Sequence, residues 1–154
     1  MTEEELIRVL ASLPGVVGET ANQASGAPEV AWGDSFFFYD PGDNPDRRFP
    51  FATIVTKDYP GFDTASDLDR PGVFRLNLSV GRTCFEGLFG FPPAQFEAHQ
   101  DEFDYSATDG VVPHPVYGKQ GWISVVAPGD ATADQVQDLI DQAYRRVRDR
   151  HKPR

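Results

Sequence analysis

The 154-residue sequence predicts an α+β fold. The expected architecture is one antiparallel or mixed sheet of about five strands, with N-terminal, short central and C-terminal helices on one face. Three observations predict it. Both ends of the chain carry apolar residues at helical spacing. The middle carries runs that alternate with period two. Those runs follow one another through turns, which favours antiparallel pairing.

Residues 2–13 read as the first helix. Thr2 and Glu5 make a capping box, Leu6, Val9, Leu10 and Leu13 form one apolar stripe, and Pro14-Gly15 stops it. Glu3, Glu4 and Glu5 suit the positive end of the helix dipole and need no functional role. Residues 16–21 read as a short strand and 30–39 as a second, broken near Gly33-Asp34. Ser35-Phe36-Phe37-Phe38-Tyr39 is too apolar for a strand with one wet face, so something must cover both of its sides.

Residues 40–47 read as a turn-rich loop. Asp40, Asp43, Asn44 and Asp46 invite a calcium reading, but a twelve-residue calcium loop closes on a Glu, and Phe51 stands there. Residues 49–57 alternate, with Phe49, Phe51, Thr53 and Val55 on one face. Residues 73–80 alternate more cleanly, with Phe74, Leu76, Leu78 and Val80 inward and Arg75, Asn77 and Ser79 outward. The two runs are expected to pair across a connection too long for a tight hairpin, and long ordered loops often carry function.

Thr83 and Glu86 predict a second capped helix, 84–89, ended by Gly90. Pro92-Pro93 opens a third, to about Gln100. Residues 101–121 show no period and read as a structured loop. Residues 121–127 are the last strand. The final helix follows Thr132, with Val136, Leu139, Ile140, Ala143, Tyr144 and Val147 as its stripe and Asp141–Arg145 as an i,i+4 pair. The length fits one domain over 1–150 with a basic tail at 151–154.

Composition excludes several classes. The formal charge is −10, and it is uneven: residues 145–154 hold six Lys or Arg against one Asp, while residues 1–144 hold eight against 23 Asp or Glu. So acidic a body repels phosphate backbones, which disfavours nucleic acid as a partner. The lone Cys84 excludes an intrachain disulfide and fits a reducing cytoplasm. The N-terminus is acidic and lacks a signal-peptide core, and no apolar run is long enough to span a membrane.

Segments LPGV at 13–16, AWGDSFFFYDP at 31–41, PFATIVTKDYPGFDTASDLDRPGVFRLN at 50–77 and PHPVYGKQGWISV at 113–125 resemble an uncharacterised, mostly actinobacterial domain-of-unknown-function family. More distantly, Lys57, Arg70-Pro71, Gly121-Trp122 and Tyr144 occur in the order seen in MmcQ/YjbR-like proteins. That likeness implies an α+β fold and a DNA-binding role, the latter at odds with the acidic body.

Candidate chemistry gathers in two loops. Lys57, Asp63, Asp67, Asp69 and Arg70 surround the 57–72 loop, where Lys57 and Arg70 could grip an anion. The competing reading is a self-pinned turn network. His114 is held stiffly between Pro113 and Pro115, and could act as acid or base with Asp63 or Asp109 as its orienter. Trp122 and the Phe-rich strand offer an apolar platform for a ligand or a second subunit in a homodimer. The expected ligand-binding set is therefore Lys57, Asp63, Arg70, His114 and Trp122. No cofactor motif is present. His99, Asp101, Glu102 and Asp104 lack metal-ligand spacing, so no metal is expected. Cys84 reads as an inert buried thiol. The first expectation is a non-catalytic module binding a small molecule or a protein, with Lys57, Arg70 and His114 converging on one concave face. An enzyme built on His114 is the second.

Overall fold

The structure, a computed structural model, describes residues 1–42 and 49–151. Asp43, Asn44 and Asp46 of the calcium reading, and Lys152, Pro153 and Arg154 of the basic tail, lie outside the described residues. The elements run α1 (Glu3–Ala11), β1 (Val16–Thr20), β2 (Ser35–Tyr39), β3 (Ala52–Val55), β4 (Arg75–Ser79), α2 (Arg82–Phe89), α3 (Phe96–His99), β5 (Val111–Pro113), β6 (Trp122–Val126) and α4 (Ala133–Arg150). The fold is α+β, with one open sheet in the order β1-β2-β3-β4-β6-β5, antiparallel throughout. No helix of the described residues is long and apolar enough to cross a membrane.

The sheet has six strands where about five were expected. The extra one, β5, is three residues long, too short to show a period, and it sits at the sheet edge where Pro113 is tolerated. The second strand begins only at Ser35, because Glu29–Ala31 winds into a 3₁₀ turn.

Pairing register sorts the strand residues into two faces. Phe37, Ala52, Ile54, Leu76, Leu78, Ile123 and Val125 share one, and all pack in the main core with Leu6 and Leu10 of α1, Phe85 of α2 and Val136, Leu139, Ile140 and Ala143 of α4. Burying each of the Val, Leu, Ile and Phe side chains among them contributes about 1.5–3 kcal/mol. Thr2 caps α1 as expected, its hydroxyl accepting the Glu5 amide at 3.1 Å. The expected Thr83–Glu86 box does not form. Helix α2 starts earlier, after Gly81, whose φ of +85° makes the turn. Gly121 (φ +84°) lies against that turn, and a Cβ there would sit 3.2 Å from the Gly81 backbone. The Val80 and Gly81 amides both donate to the Gly121 carbonyl, which fixes where Trp122 enters the sheet.

The other face carries Phe36, Thr53, Val55, Arg75, Asn77, Ser79, Trp122, Ser124 and Val126. Arg75 and Asn77 point outward from the apolar core as expected, yet each is 1% exposed. Loop 57–72 folds back over them, and its Leu68 makes a second apolar cluster with Val55 and Val126.

Candidate functional site

The site begins with a polar row across this second face. Thr53, Asn77 and Ser124 stand opposite one another on β3, β4 and β6. Asn77 Nδ2 donates to Thr53 Oγ1 at 3.0 Å, and Ser124 Oγ donates to Asn77 Oδ1 at 2.7 Å. One rung along, Arg75 Nε donates to the same Asn77 oxygen at 2.8 Å. Its Nη1 donates to Asp63 Oδ1 at 3.0 Å and Ser66 Oγ at 2.8 Å, and its Nη2 to Asp63 Oδ2 at 2.5 Å. The Arg75–Asp63 pair is thus bidentate and buried, with the carboxylate supplied by loop 57–72.

That loop is held by its own backbone and carboxylates. Tyr59 and Asp63 bridge each other, Asp58 Oδ1 accepts the Leu68 amide at 2.8 Å, and Asp69 Oδ1 accepts the Asp58 amide at 3.2 Å. At its base Asp34, wholly buried before β2, accepts from the Thr56 amide (2.8 Å), the Thr56 hydroxyl (2.9 Å), Lys57 Nζ (3.2 Å) and the Tyr59 hydroxyl. Burial first, then the Asp34 carboxylate, raise the Tyr59 phenol above its ordinary pKa, so it stays a donor.

His114 enters from the opposite side and is 4% exposed. Its Nδ1 accepts the amides of Val116 and Tyr117, both at 3.0 Å. Its Nε2 lies 3.4 Å from Arg75 Nη2. Burial and, next, the Arg75 charge push its pKa down to about 3, with Asp63 opposing weakly, so the imidazole is neutral at physiological pH.

Between these walls lies a cleft of about 810 Å³. Arg75, Asn77 and Trp122 form its floor, Asp63 and His114 its sides. Phe62 (58% exposed) and Tyr117 (42% exposed) meet at its lip with ring centroids 6.1 Å apart.

Of the five residues expected to bind a ligand, Asp63, His114 and Trp122 line this cleft; Lys57 and Arg70 do not. The expected convergence of Lys57, Arg70 and His114 is therefore corrected. Lys57 is held by Asp34 and the Trp32 carbonyl. Arg70 donates to the carbonyls of Asp67 (2.7 Å), Ser66 (3.1 Å) and Ser106 (2.9 Å), tying loop 57–72 to the segment before β5. The expected orienters of His114 are also corrected. Asp63 serves Arg75. Asp109 sits before α4, accepting the Thr132 hydroxyl (2.6 Å) and the Gly129, Ala131 and Thr132 amides. These bonds, the hydroxyl's first, hold its carboxyl below the usual range.

Arg75 and Asn77 are what sequence reasoning missed. The available signal was a carboxylate-rich loop running into a strand whose alternate residues are polar. His99 stacks on Phe91 and pairs with Glu102 at 2.6 Å, and no group of three metal-ligating side chains occurs among the described residues. Cys84 is half-buried rather than buried, and burial raises its thiol pKa.

A profile of the Family of unknown function (DUF6194) matches residues 1–154. The chain belongs to that family. No curated protein and no solved structure matches it.

Proposed function

We propose that this DUF6194 chain is a non-catalytic, cytoplasmic module that binds a small molecule in the cleft on the sheet face opposite the main core. The observation that carries the reading is the buried Arg75–Asp63–Asn77 hydrogen-bond network on the floor of an aromatic-lipped cleft. Apolar side chains at 63 and 75 would cover the sheet without the desolvation penalty of a buried ion pair. A concave, mostly apolar site with a few oriented polar groups is the usual form of a small-molecule site, and its volume falls within the common range of about 300–1,000 Å³. Catalysis by His114 is disfavoured: a group with a pKa near 3 is a poor base at neutral pH, and no carboxylate among the described residues hydrogen-bonds its ring. The net charge of −10 argues against DNA.

The test is an NMR titration with naphthalene as a small aromatic probe. Shifts concentrated on Phe62, His114, Tyr117 and Trp122 support the reading. No shifts, or shifts confined to α1 and α4, overturn it.

A further inference from the structure

Two hydrogen-bond donors are left over at the deep end of the cleft. Arg75 has five N–H groups. One goes to Asn77, two to Asp63 and one to Ser66, which leaves one Nη2–H directed toward His114. His114 Nδ1 accepts two backbone amides, so its ring proton must sit on Nε2. The two nitrogens that carry these protons, Arg75 Nη2 and His114 Nε2, stand 3.4 Å apart, so an acceptor serving both must sit beside the line between them. Neither proton finds an acceptor among the described residues. A buried donor without an acceptor is costly, and two aimed at one point call for a single oxygen that takes both.

Charge decides which kind of oxygen. The Arg75 guanidinium is already balanced by the Asp63 carboxylate, which is 8% exposed. A second carboxylate placed here would lie one guanidinium away from Asp63, in a protein of net charge −10. Like charges at such spacing in a poorly solvated site repel strongly. A carbonyl oxygen accepts both protons and adds no charge. The aromatic lip and Trp122 then take a flat apolar body.

Resting on the cleft reading above, we infer that the ligand is an uncharged aromatic or amphipathic compound whose amide or ketone oxygen bridges His114 Nε2–H and Arg75 Nη2–H. Arg146 lies at the opposite end of the cleft, beside Ser79 on β4. Residues 75 and 79 are four apart, roughly 13 Å along the strand, so the two ends read different parts of a ligand.

The experiment compares naphthalene, 2-naphthamide and 2-naphthoate by NMR titration of the full chain. Naphthalene tests the cleft; the amide tests the donor pair. The amide is expected to bind about tenfold more tightly than naphthalene and more tightly than the carboxylate. Equal binding of amide and hydrocarbon overturns this inference and leaves the cleft reading standing. Binding of the carboxylate as tight as the amide or tighter overturns the uncharged class. No binding of any of the three overturns both. His114→Asn keeps an acceptor for the Val116 and Tyr117 amides, while its shorter side chain withdraws the donor from the Nε2 position. The amide's advantage over naphthalene, measured in the same variant, should fall about tenfold. An unchanged advantage in a folded His114→Asn protein contradicts the inference.

Discussion

The two faces of one strand, β4, are both buried, and they are buried by opposite means. Leu76 and Leu78 are sealed by helices through apolar contact alone. Arg75 and Asn77, their immediate neighbours, are sealed by a loop through oriented hydrogen bonds. The apolar face tolerates small adjustments of shape, because dispersion and hydration have no direction. The polar face does not, because each donor needs its acceptor at a fixed place. The helix face therefore supplies stability, and the loop face holds a defined set of groups around a cleft.

The largest expected effect comes from unpairing the polar face. Asp63→Ala leaves the Arg75 charge buried alone and should cost about 3–5 kcal/mol in chemical denaturation. Replacing the pair together, Asp63→Leu with Arg75→Met, should recover most of that loss and bring 2-naphthamide affinity down toward that of naphthalene. A double variant as unstable as the single one would contradict the contrast between the faces.

On the helix face, Leu78→Ala should cost about 2–5 kcal/mol through lost transfer energy and a residual cavity. It should leave the order of probe affinities intact. A changed order would mean that the two faces are coupled.

pH separates the faces next. His114 titrates near 3 when folded and near its ordinary value of about 6.5 when unfolded. Between those values the unfolded chain binds the extra proton, so stability falls as pH falls. The slope from this one group is about 1.4 kcal/mol per pH unit. Its contribution is complete above pH 6.5. His114→Asn should flatten the decline seen in thermal melts between pH 6.5 and 4; an unchanged slope would assign the acid sensitivity elsewhere.

The smallest effect on stability is expected at the lip. Phe62 is exposed, so Phe62→Ser should shift stability by no more than about 0.5 kcal/mol, yet weaken naphthalene binding severalfold. A stable variant that binds as before would remove the aromatic lip from the site.

The helix face was legible in the sequence and most of the loop face was not. Periods of two and 3.6 placed Leu76, Leu78, Leu139 and Ile140 in the core without reference to any partner. The same alternation put Arg75 on the outer face, but a period says which side a residue takes and nothing about what covers that side. Arg75 meets Asp63 twelve positions away and His114 thirty-nine away, and no local pattern encodes either contact. Lys57 looked free for the same reason: its partner, Asp34, stands 23 residues earlier at what read only as a strand break. His114 could be singled out because its constraint is local. Prolines flank it, and the amides that hold its ring follow within three residues.

The most direct test of the donor-lined cleft is the protonation of His114, read from long-range ¹H–¹⁵N NMR at pH 7. The account predicts a neutral ring with the proton on Nε2 and a lone pair on Nδ1, and an Nε2 resonance that moves when 2-naphthamide is added. A proton on Nδ1, or a charged imidazolium at pH 7, would contradict it.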